Sequence, residues 1–171
     1  MSVQLLSLLE GRVDRKKIIF ILDNEEDNIG FNFLVAHMQK EVKSSSWRSA
    51  WIINNAMKKN DVRIKKPLSK IIKSIIGKQD GHQRELLKVV RKMTLSEKNE
   101  GLFFDTCMQV WEDIKKKPAT RHYAGLTIID MAKKYPDIKN ELDYLTSTYY
   151  IKTLSPGIKR IFERELTKLN K

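Results

Sequence analysis

The chain has 171 residues, of which 41% are hydrophobic and 32% charged, and its formal net charge is +12. This length and composition are typical of a folded chain that can bury a core, and they exclude an intrinsically disordered protein. No apolar run approaches the ~18 residues that a membrane-spanning helix needs. The N-terminal segment lacks the basic region and small-residue cleavage site of an export signal, so we expect no export. The lone Cys107 allows no intrachain disulfide, and we therefore expect a reducing, cytoplasmic location.

Apolar residues recur at helical spacing along the chain, and no segment alternates in the manner of a strand. Residues 31–42, 68–76 and 104–114 each carry one apolar stripe, including Val42 in the first of them. The four prolines stand where helices are expected to begin, because proline is tolerated in the first helical turn. The sequence therefore predicts an all-α fold. The predicted helix pairs are 3–10 with 14–23, 27–42 with 46–59, 64–76 with 81–93, 97–115 with 119–134, and 138–151 with 155–170.

One arginine opens the second helix of each pair. These arginines are separated by 33, 36, 37 and 39 residues, and they are Arg15, Arg48, Arg84, Arg121 and Arg160. A period in this range is typical of stacked helical hairpins, an α-solenoid. It divides residues 1–171 into five units of one domain, at 1–24, 25–60, 61–94, 95–135 and 136–171.

The three central second helices repeat an apolar register after the arginine. We expect these positions to stack into one continuous core. They are Ala50, Ile53 and Met57, then Leu86, Val89 and Met93, and then Tyr123, Leu126 and Ile129.

The segment from Pro67 to Val90 resembles a HEAT-type repeat, with a leucine- and isoleucine-rich first helix, a turn carrying Asp80, and an arginine-led second helix. Residues 118–126 resemble the second-helix opening, with threonine in place of the usual valine, whereas residues 47–51 place an aromatic residue there. The resemblance to HEAT-like or armadillo-type repeats implies a right-handed α-α superhelix of about five hairpins. It also implies a scaffold that binds proteins or nucleic acid without a specific activity of its own.

The repeated arginines have two interpretations. In HEAT-like arrays, this residue often bonds an acidic or carbonyl group in a neighbouring repeat, and that structural role is the favoured one. Alternatively, Arg48, Arg84 and Arg121 could line a groove and grip phosphates or carboxylates, because the planar guanidinium suits bidentate contact.

Positive charge is concentrated in the third unit, where residues 58–98 supply +9 of the total of +12. The first basic row lies at i, i+3, i+7 and i+10 and comprises Arg63, Lys66, Lys70 and Lys73. A second row, on the partner helix, comprises Arg84, Lys88 and Arg91. Such a stripe is typical of nucleic-acid binding, could equally attract an acidic protein, and is also found on simply solvated surfaces.

Two tryptophans flank Arg48 on one predicted helix. Trp47 and Trp51 could stack on nucleic-acid bases, although packing into the core is the more common fate of such residues. This aromatic face beside an arginine is a second candidate contact surface.

Motifs for catalysis, cofactors and metals are not found in the sequence. His37, His82 and His122 lack ligand-like spacing with Cys107, which we expect to be buried. No phosphate-binding, dinucleotide or nucleophile-elbow motif occurs.

An acidic run at residues 23–28 is similar to a calcium loop. It lacks the glycine at position six, however, and has Leu34 at position twelve. We therefore expect a linker, with Asp27 at the N-terminus of the next helix.

These patterns together predict a non-catalytic interaction module without cofactor, metal or membrane insertion, and with a protein partner. Nucleic-acid binding through the basic third unit is the alternative. A DNA alkylpurine glycosylase-like enzyme ranks third, with residues 111–113 (Trp-Glu-Asp) as the nearest candidate site.

Overall fold

All regular secondary structure is helical in the part of the chain that the computed structural model describes, residues 2–41 and 43–169. No strand occurs within these residues, which confirms the all-α prediction. The chain divides into two compact units, Met1–Ser96 and Glu97–Lys171. This division falls two residues after the predicted border between the third and fourth hairpins. The single domain of five hairpins stays a prediction.

The first unit is organised around one central helix, α4. Its helices are α1 (Ser2–Leu9), α2 (Arg15–Asp23), α3 (Ile29–His37), α4 (Lys43–Ala56), α5 (Val62–Lys65), α6 (Leu68–Lys73) and α7 (Asp80–Arg91). Helix α4 packs against α1, α2, α3 and α7, and α6 packs against α7. Because Ala50, Ile52 and Ile53 of α4 are fully buried, this helix forms the centre of the unit's core.

The second unit is organised around α9. Its helices are α8 (Glu97–Glu112), α9 (Pro118–Lys134), α10 (Pro136–Leu145), α11 (Thr148–Ile151) and α12 (Pro156–Leu169). Helix α9 packs against α8, α10 and α12. The rings of Trp111 and Phe162 stack with their centroids 4.7 Å apart. They lie over Gly125, where an added Cβ would come within 2.4 Å of Phe162. The absence of a side chain at Gly125 therefore lets these rings approach α9 closely.

Helix boundaries follow the sequence signals, with two interruptions. Pro118, Pro136 and Pro156 are each the first residue of a helix, and Pro67 directly precedes α6, as expected for residues without an N–H. The helix predicted over 64–76 is broken at Pro67 into α5 and α6, because proline cannot donate an intrahelical hydrogen bond. The helix predicted over 138–151 is likewise divided, into α10 and α11.

The six core positions predicted for the helices that correspond to α4 and α7 are all buried, although Met57 and Met93 lie just beyond the ends of these helices. In α9 only Ile129 of the predicted three is buried, while Tyr123 and Leu126 are half-exposed. Val42, predicted on an apolar stripe, lies outside the described residues. The repeat register therefore predicted the core of the first unit better than that of the second.

A carboxylate does stand at the N-terminus of α3, but it belongs to Glu25 rather than to Asp27. Its two oxygens accept hydrogen bonds from the backbone N–H groups of Gly30 and Phe31, at 2.6 and 2.8 Å. These donors have no intrahelical partner, and a negative charge is favourable beside them. The acidic run therefore caps a helix.

Candidate interaction surface

Four lysines project from the outer side of α5 and α6. Helix α6 buries Leu68, Ile71 and Ile72 against the unit. The opposite side carries four exposed cations, which we call the lysine face: Lys65, Lys66, Lys70 and Lys73. Within the part of the chain that the structure describes, none of these four lysines forms an ion pair or a side-chain hydrogen bond. The lysine face is thus solvated and free to meet a partner.

Arg63, predicted to belong to this row, instead turns toward its own unit. Its guanidinium pairs with Asp61 at 2.8 Å, donates to Asn28, and lies 3.5 Å from the centroid of the Phe31 ring. The hydrogen bond from Arg63 lowers the pKa of Asp61, and the same bond raises the pKa of Arg63. Arg63 therefore fixes the loop before α5.

The second predicted basic row, on α7, surrounds a buried carboxylate. Glu85 is only 1% exposed, and it pairs with Arg84 and with Lys88, each at 2.9 Å. Asn54 of α4 also donates to it, at 3.3 Å. Arg91 is half-buried on the same helix. Because a buried charge is costly unless it is paired, these cations stabilise the Glu85 carboxylate on α7, and the hydrogen bond from Asn54 joins it to α4.

Arg121 lies wholly inside the second unit, with no exposed surface. Its Nε donates to the carbonyl of Trp111 at 2.8 Å, and its Nη1 donates to the hydroxyl of Thr153. The guanidinium carbon lies 4.5 Å from the centroid of the Trp111 ring, and burial lowers the pKa of Arg121. Its second terminal nitrogen is buried and has no hydrogen-bond partner within the part of the chain that the structure describes. These contacts fit the structural interpretation of the repeated arginine.

The tryptophans beside Arg48 are half-buried, and their rings are already in contact with cations. Arg48 lies 5.9 Å from the Trp47 ring, and Arg15 lies 5.8 Å from the Trp51 ring. Arg48 also donates at 2.6 Å to the carbonyl of Leu9, the last residue of α1. It thereby satisfies one of the carbonyls that a helix C-terminus leaves without a partner.

The other residues considered for a reactive or base-stacking role are also buried inside the units. Cys107 is buried, as predicted. Trp111 is 1% exposed and donates to the carbonyl of Leu145, so it offers no ring face to a nucleobase. Within residues 2–41 and 43–169, no group of histidine, cysteine and carboxylate side chains could hold a metal ion. No helix in that part of the chain is long and apolar enough to span a bilayer.

Two exposed apolar residues beside the lysine face were missed from the sequence. Val62, at the start of α5, is 72% exposed, and Ile76, just after α6, is 42% exposed. A signal was available for Val62, because it stands outside the buried stripe that begins at Ile64. Ile76 matched the stripe by spacing, but α6 ends at Lys73, and the residues beyond it leave the helical register.

Comparison with known proteins agrees with the helical repeat. A family model described as a HEAT repeat domain matches residues 5–169, nearly the entire chain. No curated protein and no solved structure matches it.

Proposed function

The chain belongs to the HEAT repeat domain family, and from this premise we propose that it is a non-catalytic interaction module that binds an acidic protein segment through the lysine face. Helical repeat arrays of this kind generally use extended surfaces for binding. The observation that carries the proposal is a contrast within the two predicted basic rows: in the described part of the chain, Lys66, Lys70 and Lys73 are exposed and form no ion pair, whereas other cations of these rows are paired. Arg63, Arg84 and Lys88 all have acidic partners within the protein.

The lysine face repels itself in the absence of a partner. Lys70 and Lys73 are three residues apart on α6, and Lys65 and Lys66 lie shortly before this helix. Like charges that are neighbours on one helix face destabilise the helix by roughly 0.2–0.5 kcal/mol per pair. An acidic partner would remove this repulsion and would also be steered toward the site by the local positive potential.

Two features favour a protein partner over nucleic acid. Val62 and Ile76 place exposed apolar side chains at the two ends of the lysine face. Protein interfaces combine such apolar contacts with a polar rim, whereas a phosphate backbone offers them little. The guanidinium groups that would suit bidentate phosphate contact are those engaged within the protein, at Arg63 and Arg84.

The proposal is tested by affinity capture from the source cell with charge-reversed variants. The test variant carries K66E, K70E and K73E. The matched control carries K98E, K115E and K159E, at lysines of the second unit that are also exposed, so both variants lower the net charge equally. Since all six positions are on the surface, we expect each protein to fold with little change in stability.

We expect the wild type and the control to recover the same acidic partner, and the test variant to lose it. Equal recovery by all three proteins would overturn the assignment to the lysine face. Binding of fluorescent duplex DNA or single-stranded RNA, with affinity falling steeply between about 50 mM and 200 mM salt, would replace the protein partner with nucleic acid. The cytoplasmic location and the absence of a cofactor stay predictions.

A further inference from the structure

The second unit contains a small apolar cleft where α8, α9 and α10 meet. Its volume is about 190 Å³, and its walls include Phe104 of α8, Met131 of α9 and Ile138 of α10. Gly101 lies at its edge, and a Cβ added there would meet no heavy atom within 4 Å. The space beside Gly101 is therefore open rather than filled by the unit's own packing.

The volume of the cleft decides the kind of occupant. Sites for whole small-molecule ligands are typically about 300–1,000 Å³, which is larger than this cleft. A volume of 190 Å³ suits one inserted side chain. Interfaces between proteins concentrate binding energy on such anchors, which are enriched in tryptophan, tyrosine and arginine.

Carboxylates line the same cleft and decide the charge of the occupant. Glu97 is exposed in the first turn of α8, and it forms no ion pair within the described residues. Glu100 accepts two bonds from Lys134, each at 2.7 Å, and one from the hydroxyl of Tyr135. The bond from Lys134, followed by that from Tyr135, lowers the pKa of Glu100 and keeps it ionised. A purely aliphatic anchor would leave Glu97 partly desolvated and unpaired, which costs free energy.

We infer that this cleft, bounded by Glu97, Gly101, Phe104, Met131 and Ile138, receives the arginine side chain of a basic segment of a partner protein. The methylene stem of arginine packs along apolar walls while its charged end stays at the rim. The planar guanidinium can stack on an aromatic ring and bond a carboxylate in two places. Since Lys134 already pairs with Glu100, the charge that this site offers is the Glu97 carboxylate. The site lies on the other unit from the lysine face, so it stands whether or not the lysine face binds.

The test is an NMR titration of the isotopically labelled full chain with N-acetyl-arginine methylamide. N-acetyl-norleucine methylamide is the control probe, because it has an aliphatic side chain and no charge. Gly101→Leu fills the open space, and leucine favours a helix more than glycine does, so this variant is expected to fold. Glu97→Gln removes the unpaired carboxylate. Glu112→Gln, exposed at the far end of the same helix, is its matched control.

We expect saturable shifts of the Gly101, Phe104 and Ile138 amides, with a dissociation constant on the order of millimolar and weaker binding of norleucine. Gly101→Leu should abolish the shifts of the Phe104 and Ile138 amides. Glu97→Gln should weaken binding roughly threefold to tenfold, and Glu112→Gln should leave it unchanged. The inference is overturned if arginine gives no saturable shift, or if norleucine binds equally well. It is also overturned if the same amides shift with protein concentration alone, because a second copy would then occupy the cleft.

Discussion

Replacing Arg121 by lysine should destabilise the protein more than replacing it by methionine, although lysine keeps the charge. Lysine cannot bond the Trp111 carbonyl and the Thr153 hydroxyl at once with the fixed geometry of a guanidinium. Losing one charge-assisted hydrogen bond costs about 1.5–3 kcal/mol. Losing the stacking on Trp111 adds about 0.5–2 kcal/mol. We therefore expect Arg121→Lys to lower the free energy of unfolding by about 2–5 kcal/mol.

Replacing Arg121 by methionine also has a stabilising effect, which offsets part of the cost of the lost hydrogen bonds. It leaves the Trp111 carbonyl without its donor, which costs about 1–3 kcal/mol. It also removes a buried cation that has no ion-pair partner among the described residues, and replacing buried charges by apolar groups is often neutral or stabilising. We therefore expect Arg121→Met to cost at most about 2 kcal/mol, less than the lysine variant.

Urea unfolding followed by far-ultraviolet circular dichroism measures both variants. Arg160 supplies the matched control, because it holds the equivalent repeat position on α12 and is exposed. Arg160→Lys and Arg160→Met should each stay within about 0.5 kcal/mol of the wild type. If Arg121→Lys is as stable as Arg121→Met, or if both match the wild type, the structural role assigned to this arginine is refuted.

Two further predictions concern stability. Burial lowers the pKa of His37 and His82 below 6.5 in the folded state. Below pH 6.5 the unfolded chain then binds more protons than the folded chain does. The contribution of the neutral histidines to the free energy of unfolding is therefore fully present above pH 6.5. It decreases as the pH falls toward the folded-state pKa values, by at most about 1.4 kcal/mol per pH unit for each histidine. His82→Gln should reduce the slope measured by urea unfolding, and a flat profile in the wild type would contradict the reasoning. Gly125→Ala should cost about 1–3 kcal/mol through overpacking against Phe162 and Trp111, and thermal unfolding should show a smaller loss in a Phe162→Leu background.

The positions of the helices were predictable from the sequence because apolar spacing and proline placement are local signals. Helix α3 (Ile29–His37) lies within the predicted range 27–42 but is shorter, and Pro118 and Pro156 begin helices where expected. The break at Pro67 was harder to predict, because proline is compatible with the first turn of a helix as well as with an interruption.

The fate of each repeated arginine was not predictable, because it depends on neighbours that are distant in sequence. Arg121 is buried only because Thr153 and Trp111 lie around it, whereas Arg160, at the same repeat position, is exposed. For Arg63 a local signal existed, since Asp61 precedes it by two residues and pairs with it. The spacing of charges in the sequence therefore predicted more cations in the exposed basic row than the structure places there.

The cleft of the second unit could not be found from the sequence. Its walls come from three helices and include Gly101, Met131 and Ile138. None of these residues belongs to a recognisable motif, and only packing brings them together. Helical periodicity reports which side of one helix is apolar, but it does not report where three such sides leave a gap.

The lysine face is tested most directly by chemical footprinting of lysines in the complex that affinity capture recovers. Brief acetylation followed by quantitative mass spectrometry compares each lysine in the free and the bound protein. Lys66, Lys70 and Lys73 should become protected on binding, whereas the exposed control lysines of the second unit, Lys98, Lys115 and Lys159, should react as before. Unchanged labelling of the first three lysines in the complex would contradict the proposed function.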